Sequence, residues 1–231
     1  MSALKVDVWS DIACPWCYVG KRRLESALKE FPHDVEVVWH AFELDPAAPK
    51  ERDPSISHAE RLAKKYGMSV EQARLNSERL SELARAEGLS FDFERIRSGN
   101  TFDAHRLVQL GKLRGRQGEV EERFFRAYLE EGQLMSDHAT LTRLAVEAGL
   151  DEGEVSDVLA SDQLRDEVRA DEAQAHELGI SGVPCFVIDR RFAVSGAQPP
   201  QVLLSALHQA LSERGKAEDF AEGAVCGPDG C

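Results

Sequence analysis

A pair of cysteines at the junction of a predicted strand and a predicted helix constrains this 231-residue chain more than any other feature. Residues 4–9 alternate apolar and polar side chains, a pattern that predicts a β-strand. A Cys-Pro-Trp-Cys motif follows at Cys14–Cys17, and proline is tolerated in the first turn of a helix. Residues 35–42 predict a second strand, so we expect a strand–helix–strand unit whose two strands are parallel.

The Cys14–Cys17 motif has the spacing of a redox-active dithiol. The free N–H groups and positive dipole end of a helix favour the thiolate of Cys14, which we expect to be exposed, whereas Cys17 should turn inward. A Cys14 thiolate would attack a disulfide, and Cys17 would resolve the mixed disulfide. Two alternatives stay open from the residues alone: inert buried thiols, or half of a zinc site completed by Cys226 and Cys231.

The middle of the chain predicts helices rather than strands. We expect roughly six helices between about residues 57 and 178, on the basis of capping signals, apolar stripes and glycines where helices should stop. The capping signals begin at Ser57, Ser69 and Asp151, and the glycines are Gly67, Gly88, Gly132, Gly149 and Gly179.

Strand character returns late in the chain. Residues 183–188 and 192–194 flank a short polar turn and predict a β-hairpin. A last amphipathic helix should open at Pro199 and end at Gly215. Residues 216–231 are small, acidic and rich in glycine, so we expect a flexible tail.

Composition excludes several classes of protein. The net charge of −13 repels phosphate backbones and disfavours nucleic-acid binding. No run approaches the roughly 18 apolar residues of a membrane span, and the N-terminus lacks the pattern of a secretory signal. We therefore expect a cytoplasmic protein without membrane contact. Paired cysteines in that compartment are catalytic or metal-binding more often than structural.

Val183 and Pro184 directly precede the predicted hairpin. The residues alone allow a trans proline that opens an edge strand, or a cis bond that lets Val183 present main-chain groups to an extended peptide. Cys185 should be a small buried core residue. Trp16 is expected to line a peptide groove, and Trp9 either lines that groove or belongs to the core.

These features together resemble the thioredoxin-fold family of DsbA-like oxidoreductases. The resemblance is narrower to the FrnE-like branch, which is related to 2-hydroxychromene-2-carboxylate isomerases. The matching segments are residues 9–11, 14–17, 42–46, 100–106, 182–184 and 195–198. The resemblance implies an α/β fold in which a thioredoxin-like domain is interrupted by a large all-helical insertion. The implied limits are 1–44 and 180–215 for the thioredoxin-like domain, 45–179 for the helical domain and 216–231 for the tail.

The same resemblance implies the roles of individual residues. Cys14 maps to the family's nucleophile, Cys17 to its resolving thiol and Pro184 to its cis-proline. No organic cofactor or metal is expected, because the dithiol itself carries two electrons. The implied partners are protein disulfides or dithiols, with glutathione or thioredoxin as the electron partner. The implied substrate-binding residues are Pro15, Trp16, Val183 and Pro184.

Two departures from the family limit what the resemblance implies. Trp16 stands where DsbA proper carries histidine, so a strongly oxidising potential does not transfer to this chain. The related isomerases use serine at the position of Cys14. A glutathione-dependent isomerase or transferase and a zinc-binding redox sensor therefore remain as alternative functions.

A second cysteine pair lies at the C-terminus. Cys226 and Cys231 flank a Pro-Asp-Gly turn signal, so their thiols can meet by local folding. We expect either exchange with the Cys14–Cys17 motif, a tail without function, or adventitious metal capture. Among other polar residues, His105 should be a hydrogen-bonded helix residue and Asn100 a helix cap.

Overall fold

The computed structural model describes residues 3–223, with side chains from residue 3 to residue 214. Leu4–Ser10 forms strand β1, Pro15–Glu30 forms helix α1 and Val35–Ala41 forms strand β2. β1 and β2 pair in parallel, with Leu4 opposite Val35 and Ser10 opposite Ala41. The predicted strand–helix–strand unit is therefore confirmed. It places the Cys14–Cys17 motif at the junction between β1 and α1.

Seven helices lie between β2 and the next strand in the described part of the chain, one more than the rough number predicted. Ser57 forms a complete capping box with Glu60, and Asp151 accepts from the Glu154 amide, as the capping signals predict. Other helices begin without such a signal. Asp137 caps its helix although no Glu or Gln stands three residues later, and the helix after Leu164 has no side-chain cap. The seven helices are α2 (His58–Tyr66), α3 (Val70–Ala86), α4 (Phe102–Leu113), α5 (Gln117–Leu129), α6 (His138–Glu147), α7 (Glu152–Ala160) and α8 (Arg165–Glu177).

The predicted hairpin closes the sheet. Cys185–Ile188 forms β3 and Phe192–Ser195 forms β4, and the turn between them has left-handed residues at Asp189 and Arg190. β3 pairs antiparallel with β1 as well as with β4, so the strand order is β2-β1-β3-β4. The result is the predicted α/β fold, a small sheet domain whose chain is interrupted by helices.

Helix α9 (Pro200–Gly223) begins where the sequence predicts but does not end there. The prediction that Gly215 stops the helix is wrong, and residues 216–223 are helical rather than part of a flexible tail. One glycine costs a helix only about 1 kcal/mol, and the Ala and Glu residues that follow are good helix formers. Cys226 and Cys231 lie outside the described residues, so predictions about them remain predictions.

The sheet has a hydrophobic core on each face. The larger core contains the inward side of β1, the buried side of α1 and the inner faces of the helical segment. A smaller cluster on the other side contains Trp9, Ala175, Cys185 and Val187, which confirms Cys185 as a core residue and assigns Trp9 to the core. Within residues 3–223, no helix is long and apolar enough to cross a bilayer.

Candidate active site

The Cys14–Cys17 motif is built into the first turn of α1. Cys14 is the N-cap with an extended backbone, and Pro15 occupies the start of the helix, where its missing N–H is not needed. The Cys14 amide donates to the Asp11 carbonyl at 2.9 Å, and the Cys17 amide donates to the Cys14 carbonyl at 3.0 Å. Both cysteines are free thiols in the structure.

The two thiols differ in burial, although less than predicted. Cys17 is fully buried, as expected for a side chain that turns into the core. Cys14 is only 5% exposed, so the expectation of an exposed Cys14 is wrong. Its sulfur lies 3.7 Å from the Val183 carbonyl oxygen, and Cys14 is part of the larger hydrophobic core. Trp16 between them is 40% exposed at the molecular surface.

The Val183–Pro184 bond is cis, as the resemblance implied and contrary to the simpler trans alternative. The Pro184 carbonyl accepts from the Gly196 amide at 2.8 Å, which ties the turn to the end of β4. A Cβ atom on Gly20 would lie 3.0 Å from Pro184 Cγ and 3.1 Å from Phe186 Cζ. Gly20 therefore lets α1 approach the Pro184 turn closely. Sequence analysis missed it, although a glycine inside a helix is itself a signal of close packing.

Asp11 organises the backbone around Cys14. Its carboxylate is 2% exposed, and it accepts from the Ala13 amide at 3.0 Å and from the Leu44 amide at 2.7 Å. Burial acts to raise the pKa of Asp11. The imidazole of His105 and the two amides outweigh burial and leave that pKa below its usual range.

Glu121 of α5 is a second buried carboxyl group beside the cysteines. Ser10 donates from its hydroxyl to Glu121 at 2.9 Å and also contacts the Cys17 thiol. Burial raises the pKa of Glu121 to about 7, despite the opposing charges of His105 and Lys21. Burial, followed by the neighbouring Cys14 thiol, also raises the pKa of Cys17.

Sequence analysis missed Glu121, but a signal was present. Glu121 lies four residues before Phe125 and seven before Tyr128, on the same apolar face of α5. A charged residue on a core-facing stripe is rare unless it is paired or has a function. The fold brings this carboxyl group from the helical segment to the end of β1, a contact that spacing along the chain does not reveal.

His105 of α4 completes the buried polar group. It is 2% exposed, and its Nε2 lies 3.5 Å from Asp11 Oδ1 without the geometry of a hydrogen bond. His105 is a helix residue as predicted, and its amide donates to the Thr101 carbonyl at 3.0 Å, but its Nε2 has no hydrogen-bond partner. Contrary to the prediction, Asn100 is not the N-cap of α4, because Thr101 holds that position without a side-chain cap bond; the Asn100 side-chain oxygen instead accepts from the Phe102 amide at 2.9 Å. Its Nδ2 donates to Glu43 at 3.1 Å.

The described residues also bear on metal binding. In residues 3–214, no group of three or more His, Cys, Asp or Glu side chains is arranged to hold a metal ion. The zinc site considered from the sequence needs Cys226 and Cys231, which lie beyond this range, so that alternative stays a hypothesis.

Comparison with known proteins identifies the family. A family model described as a DSBA-like thioredoxin domain matches residues 5–208. The chain belongs to the DsbA-like thioredoxin family. This confirms the resemblance inferred from the motifs and places the chain among thioredoxin-fold oxidoreductases.

Two relatives match most of the chain. The crystal structure of a probable DsbA oxidoreductase from Streptomyces coelicolor, SCO1869, is 45% identical, with a TM-score of 0.85 over 99% of this chain and 98% of that one. The uncharacterized protein YwbO of Bacillus subtilis is 30% identical over 193 residues, which are 79% of this chain and 86% of YwbO.

More distant structures share the fold alone. The cytosolic disulfide reductase DsbM of Pseudomonas aeruginosa, solved with GSH, is 19% identical with a TM-score of 0.62 and covers 90% of this chain and 100% of its own. A 2-hydroxychromene-2-carboxylate isomerase is 16% identical with a TM-score of 0.67, over 92% of this chain and 98% of its own. The relation to these isomerases is thus one of fold.

Proposed function

We propose that this protein is a thiol–disulfide oxidoreductase in which Cys14 is the nucleophile and Cys17 the resolving thiol. The observation that supports this most is the asymmetry of the dithiol. Cys14 caps a helix N-terminus beside the Val183 carbonyl, and Cys17 is fully buried beneath it. Membership in a family of thioredoxin-fold oxidoreductases gives the same reaction class.

The proposed reaction transfers two electrons in two exchanges. The Cys14 thiolate attacks one sulfur of a substrate disulfide, so that a mixed disulfide forms and the other substrate sulfur leaves as a thiolate. Cys17 then attacks the Cys14 sulfur and releases the second substrate thiol. The products are a reduced substrate and a Cys14–Cys17 disulfide, and the reverse sequence oxidises a substrate dithiol. The Cys17 proton passes toward Ser10 and Glu121, whose carboxyl group has a pKa of about 7.

The proposed substrate is an extended segment of a protein that lies across the motif. Trp16 offers an exposed ring on one side of Cys14, and Pro15 adds a rigid apolar edge. Val183 and Pro184 form the opposite side, where the main chain of Val183 already reaches the Cys14 sulfur. Extended peptides bind such edges through main-chain hydrogen bonds, with side-chain pockets adding selectivity.

Reduction of insulin disulfides tests the proposal. We expect Cys14→Ser to abolish turnover, and Cys17→Ser to abolish turnover while trapping a mixed disulfide on Cys14. Cys185→Ser is the matched control, because this buried thiol follows Pro184 directly and should leave turnover unchanged. Full turnover by the Cys14→Ser variant would disprove the assignment.

A second measurement separates reductase from oxidase and from the isomerase alternative. A Cys14–Cys17 potential near the thioredoxin value of about −270 mV indicates a reductase, and one near about −120 mV indicates an oxidant. A glutathione-dependent isomerase would need Cys14 but not Cys17. Isomerase turnover that survives in Cys17→Ala would therefore favour that alternative. Coupling to glutathione or to thioredoxin, each added alone as electron donor, identifies the proposed electron partner.

A further inference from the structure

Asp11 connects the active-site turn to the loop that follows β2. Its main-chain carbonyl accepts from Cys14, and its two carboxylate oxygens accept from Ala13 and Leu44. One buried residue thus fixes three amides, two of which belong to the turn that carries the proposed nucleophile. Hydrogen bonds to an ionised acceptor are stronger than those to a neutral one, so this arrangement depends on the charge of Asp11.

His105 supplies the counter-charge for Asp11. Within residues 3–214, no lysine or arginine side chain forms an ion pair with Asp11, whereas His105 Nε2 lies 3.5 Å away. Both side chains are almost completely buried, which makes an uncompensated carboxylate costly. The imidazole is therefore matched to the carboxylate by charge, even though its Nε2 makes no hydrogen bond.

We infer that protonated His105 is a positioning residue for Cys14: it keeps Asp11 ionised, and Asp11 in turn holds the Ala13 and Leu44 amides that place the Cys14 sulfur. This inference rests on the proposed function, because it takes Cys14 as the nucleophile. It concerns the reactivity of the Cys14 thiol, which can be measured without any turnover. When His105 loses its proton, Asp11 loses its counter-charge. The hydrogen bonds from the Ala13 and Leu44 amides to the Asp11 carboxylate then weaken.

The surroundings of His105 set the direction of the pH effect. Burial lowers its pKa, but Asp11, Glu121 of α5 and Glu43 after β2 outweigh burial and raise it above the ordinary value. Tyr128 also faces Asp11 from α5. A raised pKa means that the imidazolium persists to a higher pH than it would in an unperturbed histidine. The positioning effect needs both charges, so it is present between the lowered pKa of Asp11 and the raised pKa of His105, and it is lost as pH rises through the pKa of His105.

Nuclear magnetic resonance on the full-length reduced protein tests the linkage directly. The backbone amide signals of Ala13 and Leu44 should titrate with the same midpoint as the His105 imidazole. In Asp11→Asn, the pKa of His105 should fall, because its nearest opposite charge is removed. Titration of His105 without any matching change at Ala13 and Leu44 would overturn the inference, and this measurement needs no substitution at His105.

Alkylation of Cys14, followed by peptide mapping, tests the consequence. We expect His105→Gln to slow Cys14 alkylation by about threefold to tenfold below the pKa of His105, and the two rates to converge at higher pH. His138→Gln is the matched control, because His138 pairs with Asp103 at a partly exposed site. A rate ratio that does not change with pH would show a merely structural role and reject the inference. Failure of the insulin assay would instead reject the proposed function, since alkylation requires no disulfide exchange.

Discussion

Two buried histidines join the helical segment to the sheet, and they differ in how completely they are bonded. His40 on β2 lies between two carboxylates, with Nδ1 2.6 Å from Asp171 and Nε2 2.8 Å from Asp7. His105 beside the cysteines has only a 3.5 Å approach to Asp11 and an Nε2 without a hydrogen bond. Both histidines are buried and face carboxylates, yet only His40 uses both ring nitrogens.

The partners of His40 are bonded as fully as the ring itself. Asp171 on α8 also accepts from the Ala41 amide at 2.9 Å and from Gln109 at 2.5 Å, and its carbonyl accepts from the Trp9 indole at 3.0 Å. Trp9 stacks on His40 with 4.5 Å between ring centroids. A network in which every polar atom is hydrogen-bonded stabilises a single arrangement of its side chains. The side chains around His105 are not all hydrogen-bonded, so they can still exchange a hydrogen-bond partner or a proton.

The largest expected effect is the loss of the His40 network. Asp171→Asn keeps the shape of the side chain but places an NH₂ group against donors, so we expect a loss of about 3–5 kcal/mol in the free energy of unfolding. Asp162→Asn is the control, since its ion pair with Arg165 is exposed and contributes little. Urea unfolding measures both. Equal, small losses would contradict the contrast between the two histidine sites.

The network also predicts the pH range of its contribution. The pKa of His40 is raised, because hydrogen bonds and charges of Asp171 and Asp7 outweigh burial, so its contribution is lost as pH rises through that pKa. The pKa of Asp7 is lowered, so its contribution is lost as pH falls through that value. The stability difference between the natural protein and Asp171→Asn should therefore shrink in alkaline solution.

Glu121 should behave in the opposite way to Asp171 when its charge is removed. Its pKa is raised from 4.5 to about 7 by folding, so stability is lost as pH rises from about 4.5 to about 7, and the full penalty applies at higher pH. Glu121→Gln keeps an acceptor for Ser10 and should increase the free energy of unfolding at pH 8 by an amount on the order of 1–3 kcal/mol. Resolution of the mixed disulfide by Cys17 should slow at the same time.

Glu119→Gln on the exposed side of α5 is the control for that variant, because Glu119 pairs with Arg116 in solvent. The stability gain should disappear near pH 4, where both forms of residue 121 are neutral. If Glu121→Gln destabilised the protein at pH 8, the charge of Glu121 would stabilise the fold, as the charges around His40 do, and the contrast between the two sites would be wrong.

A smaller effect is expected where close packing rather than charge holds the active site. Gly20→Ala would place a methyl group 3.0 Å from Pro184 Cγ, so α1 or the Pro184 turn must shift. We expect a loss of about 1–2 kcal/mol in the free energy of unfolding, since overpacking outweighs the better helix propensity of alanine. Gly118→Ala is the control, because nothing lies within 4 Å of a Cβ atom there.

The smallest effect concerns Cys226 and Cys231, which lie outside the described residues. If Cys226 and Cys231 exchange with Cys14–Cys17, truncation after Phe220 should lower multiple-cycle insulin reduction under limiting reductant by about twofold, without changing stability. Because α9 continues to Gly223, only two residues separate the helix from Cys226. Unchanged turnover, and no Cys14–tail disulfide in Cys17→Ser, would make the pair a spectator.

Local patterns predicted much of this molecule. The strand period of residues 4–9, Pro15 inside a helix start and the capping box at Ser57 each depend on neighbours in sequence, and each is confirmed. Gly67 and Gly88 end helices with left-handed backbones, as expected from short-range sterics. The predicted end of α9 at Gly215 is wrong for a reason that is also local. The helix propensity of the residues after Gly215 outweighs the cost of one glycine.

The polar group around the cysteines could not be predicted in this way. Ser10 and Asp11 were visible as part of a motif, but Glu121 and His105 come from helices about a hundred residues along the chain. The side-chain period of a helix indicates that such a residue faces inward, but it carries no information about which distant carboxylate or thiol it will meet. Which side chains come into contact depends on how the helices pack on the sheet. The degree of burial at those contacts, rather than the residue type alone, then determines which side chain is protonated.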